Sequence, residues 1–173
     1  MNIQLTFHAD RTDLADRVAD IQNSRLPLVV LCDGVTDWRN LGMLFRLADA
    51  TRITTIYLYR TQMPERRHLK PARSVLPFLN IVLLETLDDV IALKATYTFV
   101  ALERTTLSVN YTEYTFEPQS LLILGAESGG TSPDVLLLAD ASIHLPMHGI
   151  NTSINVICAA SVAMYKAVAD LQE

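Results

Sequence analysis

The chain has 173 residues, 50% hydrophobic and 19% charged, a composition that fits one globular domain, without an internal repeat or low-complexity tract. The opening MNIQLTFHAD lacks the basic start and apolar run of a signal peptide, and no apolar stretch approaches the ~18 residues of a membrane span, so a cytoplasmic address is expected. The net charge of −5 argues against a nucleic-acid partner, but its distribution does not: the segment 39–73 holds eight Lys and Arg against two acids, a local surplus of six.

Residues 1–25 read as a short N-terminal extension with room for one helix, and residues 1–173 as a single domain. The run 26–32 (LPLVVLC) predicts a buried strand that stops at the turn-forming pair Asp33 and Gly34. Leu41, Leu44, Phe45 and Ala48 recur with helical spacing and predict a helix over 40–51. A strand is expected at 53–59, followed by a polar, basic stretch over 60–73 that Pro64 and Pro71 interrupt. Strands at 81–85 and 97–102 flank a helix at 87–95, opened by a box of Thr86 with Asp89. Residues 103–119 read as a surface loop, and 120–125 (SLLILG) as another buried strand running into AESGG. Ser132, Pro133 and Asp134 supply a cap, a first-position proline and a first-turn acid, which together mark a helix start. A short strand at 142–145 ends at Pro146, and Ser153 is positioned to cap a final helix over about 154–171. That helix is apolar on more than one face, so burial in its own core or against a partner is expected. Strands alternating with helices imply an α/β fold with a mostly parallel sheet and helices on both faces.

Cys32 and Cys158 lie inside apolar stretches without CxxC spacing, and the four histidines form no paired-ligand pattern. No disulfide and no metal are expected. Three segments depart from a plain strand–helix connection. In Asp33-Gly-Val-Thr-Asp-Trp-Arg-Asn40-Leu-Gly-Met-Leu-Phe-Arg46, Asn40 and Arg46 follow a strand end, where α/β sheets bind ligands; the alternative for Arg46 is an exposed helix arginine. In Leu124-Gly-Ala-Glu127-Ser-Gly-Gly130, glycines after a buried strand allow close backbone approach. The pattern is neither GxGxxG nor a Walker motif, and a plain tight turn remains open. In Ile143-His-Leu-Pro-Met-His-Gly-Ile-Asn-Thr-Ser153-Ile-Asn155, a polar connection leads into a helix that opens with Ser and Asn. Its N–H groups face a ligand, or Ser153 merely caps and Asn155 is a satisfied amide.

In combination and order, DG…RNLGxxxR, LGAESGG and IHLPMHG…TSIN resemble the three motifs of the SpoU/TrmH RNA 2′-O-ribose methyltransferases, a branch of the SPOUT class, over about residues 28–165. The resemblance implies a C-terminal trefoil knot, a homodimer sharing its site across the interface, and S-adenosyl-L-methionine as methyl donor. Carried onto matching positions, it implies catalytic roles for Asn40, Arg46, Glu127, Ser153 and Asn155. It places the cofactor at Leu102, Glu103, Gly125, Ala126, Glu127, Leu145, Met147 and Ile154. With no sizeable extra RNA-binding domain expected, RNA is gripped by Arg39, Arg60, Arg66, Arg67, Lys70 and Arg73, with tRNA favoured over rRNA. Trp38 stands where many members have Pro or a small polar residue; it stacks on a base or packs at the dimer interface. The competing readings are a non-catalytic RNA-binding protein of the same fold and an unrelated doubly wound nucleotide or flavin enzyme.

Overall fold

The computed structural model describes residues 14–53, 55–65 and 67–172. The elements run α1 (Leu14–Asn23), β1 (Leu28–Asp33), α2 (Trp38–Ala50), β2 (Thr55–Tyr59), β3 (Asn80–Leu84), α3 (Leu87–Ala92), β4 (Thr98–Leu102), β5 (Val109–Asn110), β6 (Ser120–Gly125), α4 (Pro133–Leu136), β7 (Ala141–His144) and α5 (Val156–Gln172). The seven strands form one sheet in the order β3-β2-β1-β6-β4-β7-β5. Each of these neighbours pairs in parallel, so the C-terminal ends of all strands share one edge.

Strands β1 and β6 are buried at every position, as central parallel strands covered on both faces must be. Side-chain alternation divides the core into two layers. Leu28, Val30 and Cys32 pack with Leu41, Leu44 and Phe45 of α2 and with Ile157, Ala160 and Met164 of α5. Val29 and Leu31 pack on the opposite face with Phe99, Val90 of α3 and Val135 of α4. Helices therefore cover both faces of the sheet, as the alternating pattern implies.

Local chemistry moved several boundaries. Strand β1 begins at Leu28 and not 26, because Pro27 has no N–H for the ladder; its carbonyl instead accepts from Gln119 N at 2.7 Å. Helix α2 starts at Trp38, two residues early, because Asp37 caps it by accepting from Arg39 N at 2.8 Å. The Thr86–Asp89 capping box forms as expected. The expected loop 103–119 contains β5, whose Val109 and Asn110 extend the sheet beside Ile143 and His144. Ser132 occupies the N-cap position of α4 without capping it; its backbone N–H and hydroxyl both donate to Asp33.

The largest revision concerns the last helix. Ser153 does not cap it. Helix α5 begins at Val156, and the Asn155 side-chain oxygen accepts from Ile157 N at 2.8 Å and Cys158 N at 3.3 Å. Asn155 thus occupies the cap and not the second helical position. Among the described residues, no helix is long and apolar enough to cross a membrane.

Candidate active site

At the C-terminal edge of the sheet, the ends of β4, β6 and β7 open into a cleft of about 500 Å³. All eight residues expected to hold the cofactor line it: Leu102, Glu103, Gly125, Ala126, Glu127, Leu145, Met147 and Ile154. Ser153 and Asn155 line it as well. The polar connection between β7 and α5 therefore comes back over the strand ends, as ligand loops in parallel sheets do.

The Gly-rich turn after β6 makes one side of this cleft. Ala126 and Gly130 bond to each other through both backbone pairs, at 3.0 and 2.9 Å, closing the turn on itself. A side chain at Gly125 would overlap the backbone of Gly130 and Thr131, so no other residue fits there. Gly130 adopts φ +67°, a left-handed conformation that favours glycine. Two carboxylates from other strands pin the turn. Glu103 Oε2 accepts from Thr131 N at 2.9 Å, and Asp33 Oδ2 accepts from Ser132 N at 2.7 Å. Asp33 is only 2% exposed.

The turn carries Glu127, and Asn40 links it to the third sequence segment. Asn40, 3% exposed near the start of α2, donates its Nδ2 to Glu127 Oε1 at 2.6 Å. Asn155 Nδ2 in turn donates to Asn40 Oδ1 at 3.0 Å. Because the Asn155 oxygen is occupied by the α5 N–H groups, the polarity of the whole chain is set: helix N-terminus to Asn155, to Asn40, to the Glu127 carboxylate. Asn40 is the buried link, and it holds the exposed side chains of Glu127 and Asn155 in one geometry at the mouth of the cleft. Beneath it, burial pushes the Cys32 thiol upward, reinforced by the charges of Glu127 and Asp33, so this cysteine stays a neutral core residue.

Arg46 behaves differently. It is exposed on the outer face of α2, with no hydrogen bond or ion pair among the described residues, and it does not line the cleft of its own chain. Six helical residues separate it from Asn40, a rotation of roughly 240°, so the two side chains leave the helix in different directions.

The basic segment is also partly engaged within the fold. Arg60 makes paired bonds to Asp134 at 3.1 and 2.6 Å and lies 4.7 Å from the centre of the Tyr59 ring. Its hydrogen bonds hold the Asp134 carboxyl well below the ordinary aspartate range. Arg39 is fixed by Asp37, and Arg67 pairs with Glu65. Lys70 and Arg73 are exposed, while Arg66 lies outside the described residues. Sequence reasoning passed over Asp33 as a turn former; its place at the end of an apolar run was the available signal. Arg104, Ser128, His144 and Thr152 also line the cleft, each next in sequence to an expected site residue.

The model of the SpoU rRNA Methylase family matches residues 27–165. The chain belongs to that family. It is 25% identical over 159 residues to the tRNA (guanosine(18)-2′-O)-methyltransferase of Aquifex aeolicus, covering 88% of this chain and 74% of that protein. Several other curated relatives are longer, and the chain spans only 58% to 61% of their length. The crystal structure of the A. aeolicus TrmH/SpoU tRNA modifying enzyme superposes with a TM-score of 0.79 at 23% identity, covering 92% of this chain and 84% of that one. The SpoU methyltransferase AviRb from Streptomyces viridochromogenes, solved in complex with the cofactor AdoMet, superposes with a TM-score of 0.72 at 25% identity, covering 91% and 64%.

Proposed function

We propose that this chain transfers a methyl group from S-adenosyl-L-methionine to a ribose 2′-hydroxyl of RNA, with tRNA the favoured substrate. The observation that carries the proposal is the hydrogen-bonded chain from Asn155 through Asn40 to Glu127 at the mouth of the cleft. It joins residues 115 positions apart in sequence that the family resemblance alone had grouped.

The cleft suits the cofactor. Its volume falls within the usual range for small-molecule sites, ~300–1,000 Å³. Leu102, Leu145, Met147 and Ile154 offer aliphatic walls for an adenine ring, and the Gly125–Ala126 backbone allows close approach. The carboxylates of Glu103 and Glu127, against the one cation Arg104 among the lining residues, favour a positively charged guest. When bound, S-adenosyl-L-methionine supplies a methyl group on a positively charged sulfur.

The protein's own residues then bind and orient the RNA hydroxyl. Placement near the attack line accounts for up to ~7–11 kcal/mol of barrier reduction. Asn40 holds Glu127 toward the cleft mouth, and Asn155 holds Asn40. Arg46 clamps the adjacent phosphate and stabilises the developing alkoxide, since a guanidinium keeps its proton at neutral pH and does not serve as a base. Because Arg46 points away from its own cleft, it serves the site of a second copy. Helix α5 supports a homodimer: Cys158, Val162 and Tyr165 lie exposed at spacings of four and three along one face, with Val162 36% and Tyr165 55% exposed. The single domain is proposed to carry the family's C-terminal trefoil knot and to act in the cytoplasm. The preference for tRNA rests on the A. aeolicus relative, most of whose length this chain covers.

The test is transfer of labelled methyl from S-adenosyl-L-methionine to fractionated RNA, followed by nucleoside analysis. Label in 2′-O-methylribose of tRNA is expected. Label in rRNA corrects the substrate, and label on a base overturns the reaction. A pH–rate profile of Arg46→Lys tests the role of Arg46: activity restored with a basic limb at lower pH makes Arg46 a general base and refutes the clamp.

A further inference from the structure

Among the described aromatic side chains, Phe45, Phe99 and Phe116 are at most 1% exposed and Tyr59 is buried, while Tyr165 is 55% exposed. Trp38 is 41% exposed, although an indole ordinarily buries most of its surface. It sits in the first turn of α2, and its ring is held by His68, in a near-parallel stack with centroids 4.8 Å apart and planes at 22°. Arg39 places its guanidinium 5.9 Å from the Trp38 ring centre and is itself held in place by Asp37. The stack therefore joins α2 to the basic segment, whose turn Lys70–Ala72 also packs on α2. Exposed Arg39, Arg67, Lys70 and Arg73 belong to these two segments, against the acids Asp37 and Glu65.

We infer that the Trp38–His68 stack is a platform for a nucleobase of the substrate RNA, a base flanking the nucleotide that reacts. The inference rests on the RNA methyltransferase reading above. A ring fixed in orientation, half open to solvent and bordered by cations has the features that seat single-stranded bases regardless of sequence. An apolar protein partner would call for apolar neighbours, whereas the groups against the Trp38 ring are the His68 imidazole and the Arg39 guanidinium, and the nearest exposed residues along the chain are Thr36 and Arg39. Position agrees. Trp38 lies two residues, about 3 Å of helix rise, from Asn40, which bonds to Glu127 at the cleft. It leaves α2 on nearly the opposite side, so the platform borders the reaction site without entering it.

The chain contains one tryptophan, so emission excited at wavelengths beyond tyrosine absorption reports on this ring alone. The full-length protein is titrated with unfractionated tRNA and with short oligouridylate and oligoadenylate, and binding is measured in parallel by filter retention. Saturable quenching with the midpoint of retention is expected. Trp38→Leu weakens retention about fivefold to a hundredfold, the range for loss of one base–aromatic stack. Trp38→Phe keeps most of the binding, and both variants bind S-adenosyl-L-methionine with unchanged affinity by calorimetry. Three results overturn the platform: RNA that saturates retention without altering emission, failure to retain RNA, or normal retention by Trp38→Leu. Conversion of Trp38→Leu to a lighter species in sedimentation, with emission of the parent indifferent to RNA, assigns the ring to contact with a second copy. Absence of cofactor binding in the parent protein refutes the underlying enzyme reading instead.

Discussion

Replacing Asn40 by Asp changes one atom type in the polar chain and puts two carboxylates where a donor and an acceptor now meet. Asn40 Nδ2 lies 2.6 Å from Glu127 Oε1, and Asn40 is 3% exposed. Two full charges at that separation repel by about 6 kcal/mol at an effective dielectric of ~20. The pair escapes part of this by taking up a proton, which for an aspartate of ordinary pKa ~3.9 costs about 4 kcal/mol at pH 7 but only ~1.5 kcal/mol at pH 5. The variant carboxyl has its folded pKa raised, so its penalty is present at high pH and is relieved as pH falls through that raised value. Asn40→Asp is therefore expected to lose about 2–4 kcal/mol at pH 7 and to recover up to ~2.7 kcal/mol of that at pH 5. Asn40→Ala removes the charge-assisted bond to Glu127 and the bond accepted from Asn155, both to exposed side chains that can rehydrate, about 1–2 kcal/mol, with no such pH dependence. Urea unfolding followed by circular dichroism at the two pH values measures both. An Asn40→Asp deficit that stays constant with pH, or one smaller at pH 7 than that of Asn40→Ala, refutes the assigned contact with Glu127.

Gly125→Ala forces the 126–132 turn off its strand end; calorimetry should show S-adenosyl-L-methionine binding lost, with about 1–3 kcal/mol of stability. Asn155→Ala removes the cap of α5 and should cost about 1 kcal/mol in thermal unfolding, whereas Ser153→Ala should change stability by less than ~0.5 kcal/mol. Acid should destabilise the protein through its bonded aspartates. Asp134 is held low by the Arg60 guanidinium; at Asp140 burial pushes the other way but Lys94 and the Phe99 N–H prevail. With folded pKa values below the ordinary aspartate value of about 3.8, their contribution is full above that pH and lost as pH falls below it. The melting temperature should drop accordingly, and Asp140→Asn should flatten the acid limb.

The parts of the fold legible in the sequence were those specified locally. Continuous apolar runs such as 28–33 and 120–125 read as central strands because burial on both faces leaves no alternation. The Thr86 box was readable because both partners lie within four residues. Errors arose where two local signals competed. Ser153 and Asn155 are both acceptable caps, and only the path of the connection over the cleft put Asn155 against the α5 N–H groups. Asp33 looked like a turn residue because its partner, Ser132, is 99 positions away.

Residue order and chemistry alone determined the α/β class, the three segments that supply the candidate site and the membership that their combination signals, since periodicity, caps and short motifs act within a few residues. Only the tertiary structure decided that Glu127, Asn40 and Asn155 form one hydrogen-bonded chain, that Arg60 is tied to Asp134 while Arg46 faces outward, and that Trp38 stays half exposed on His68. Those outcomes depend on which strands are neighbours and which helix face turns inward, and such long-range pairings are fixed by packing the whole sheet at once.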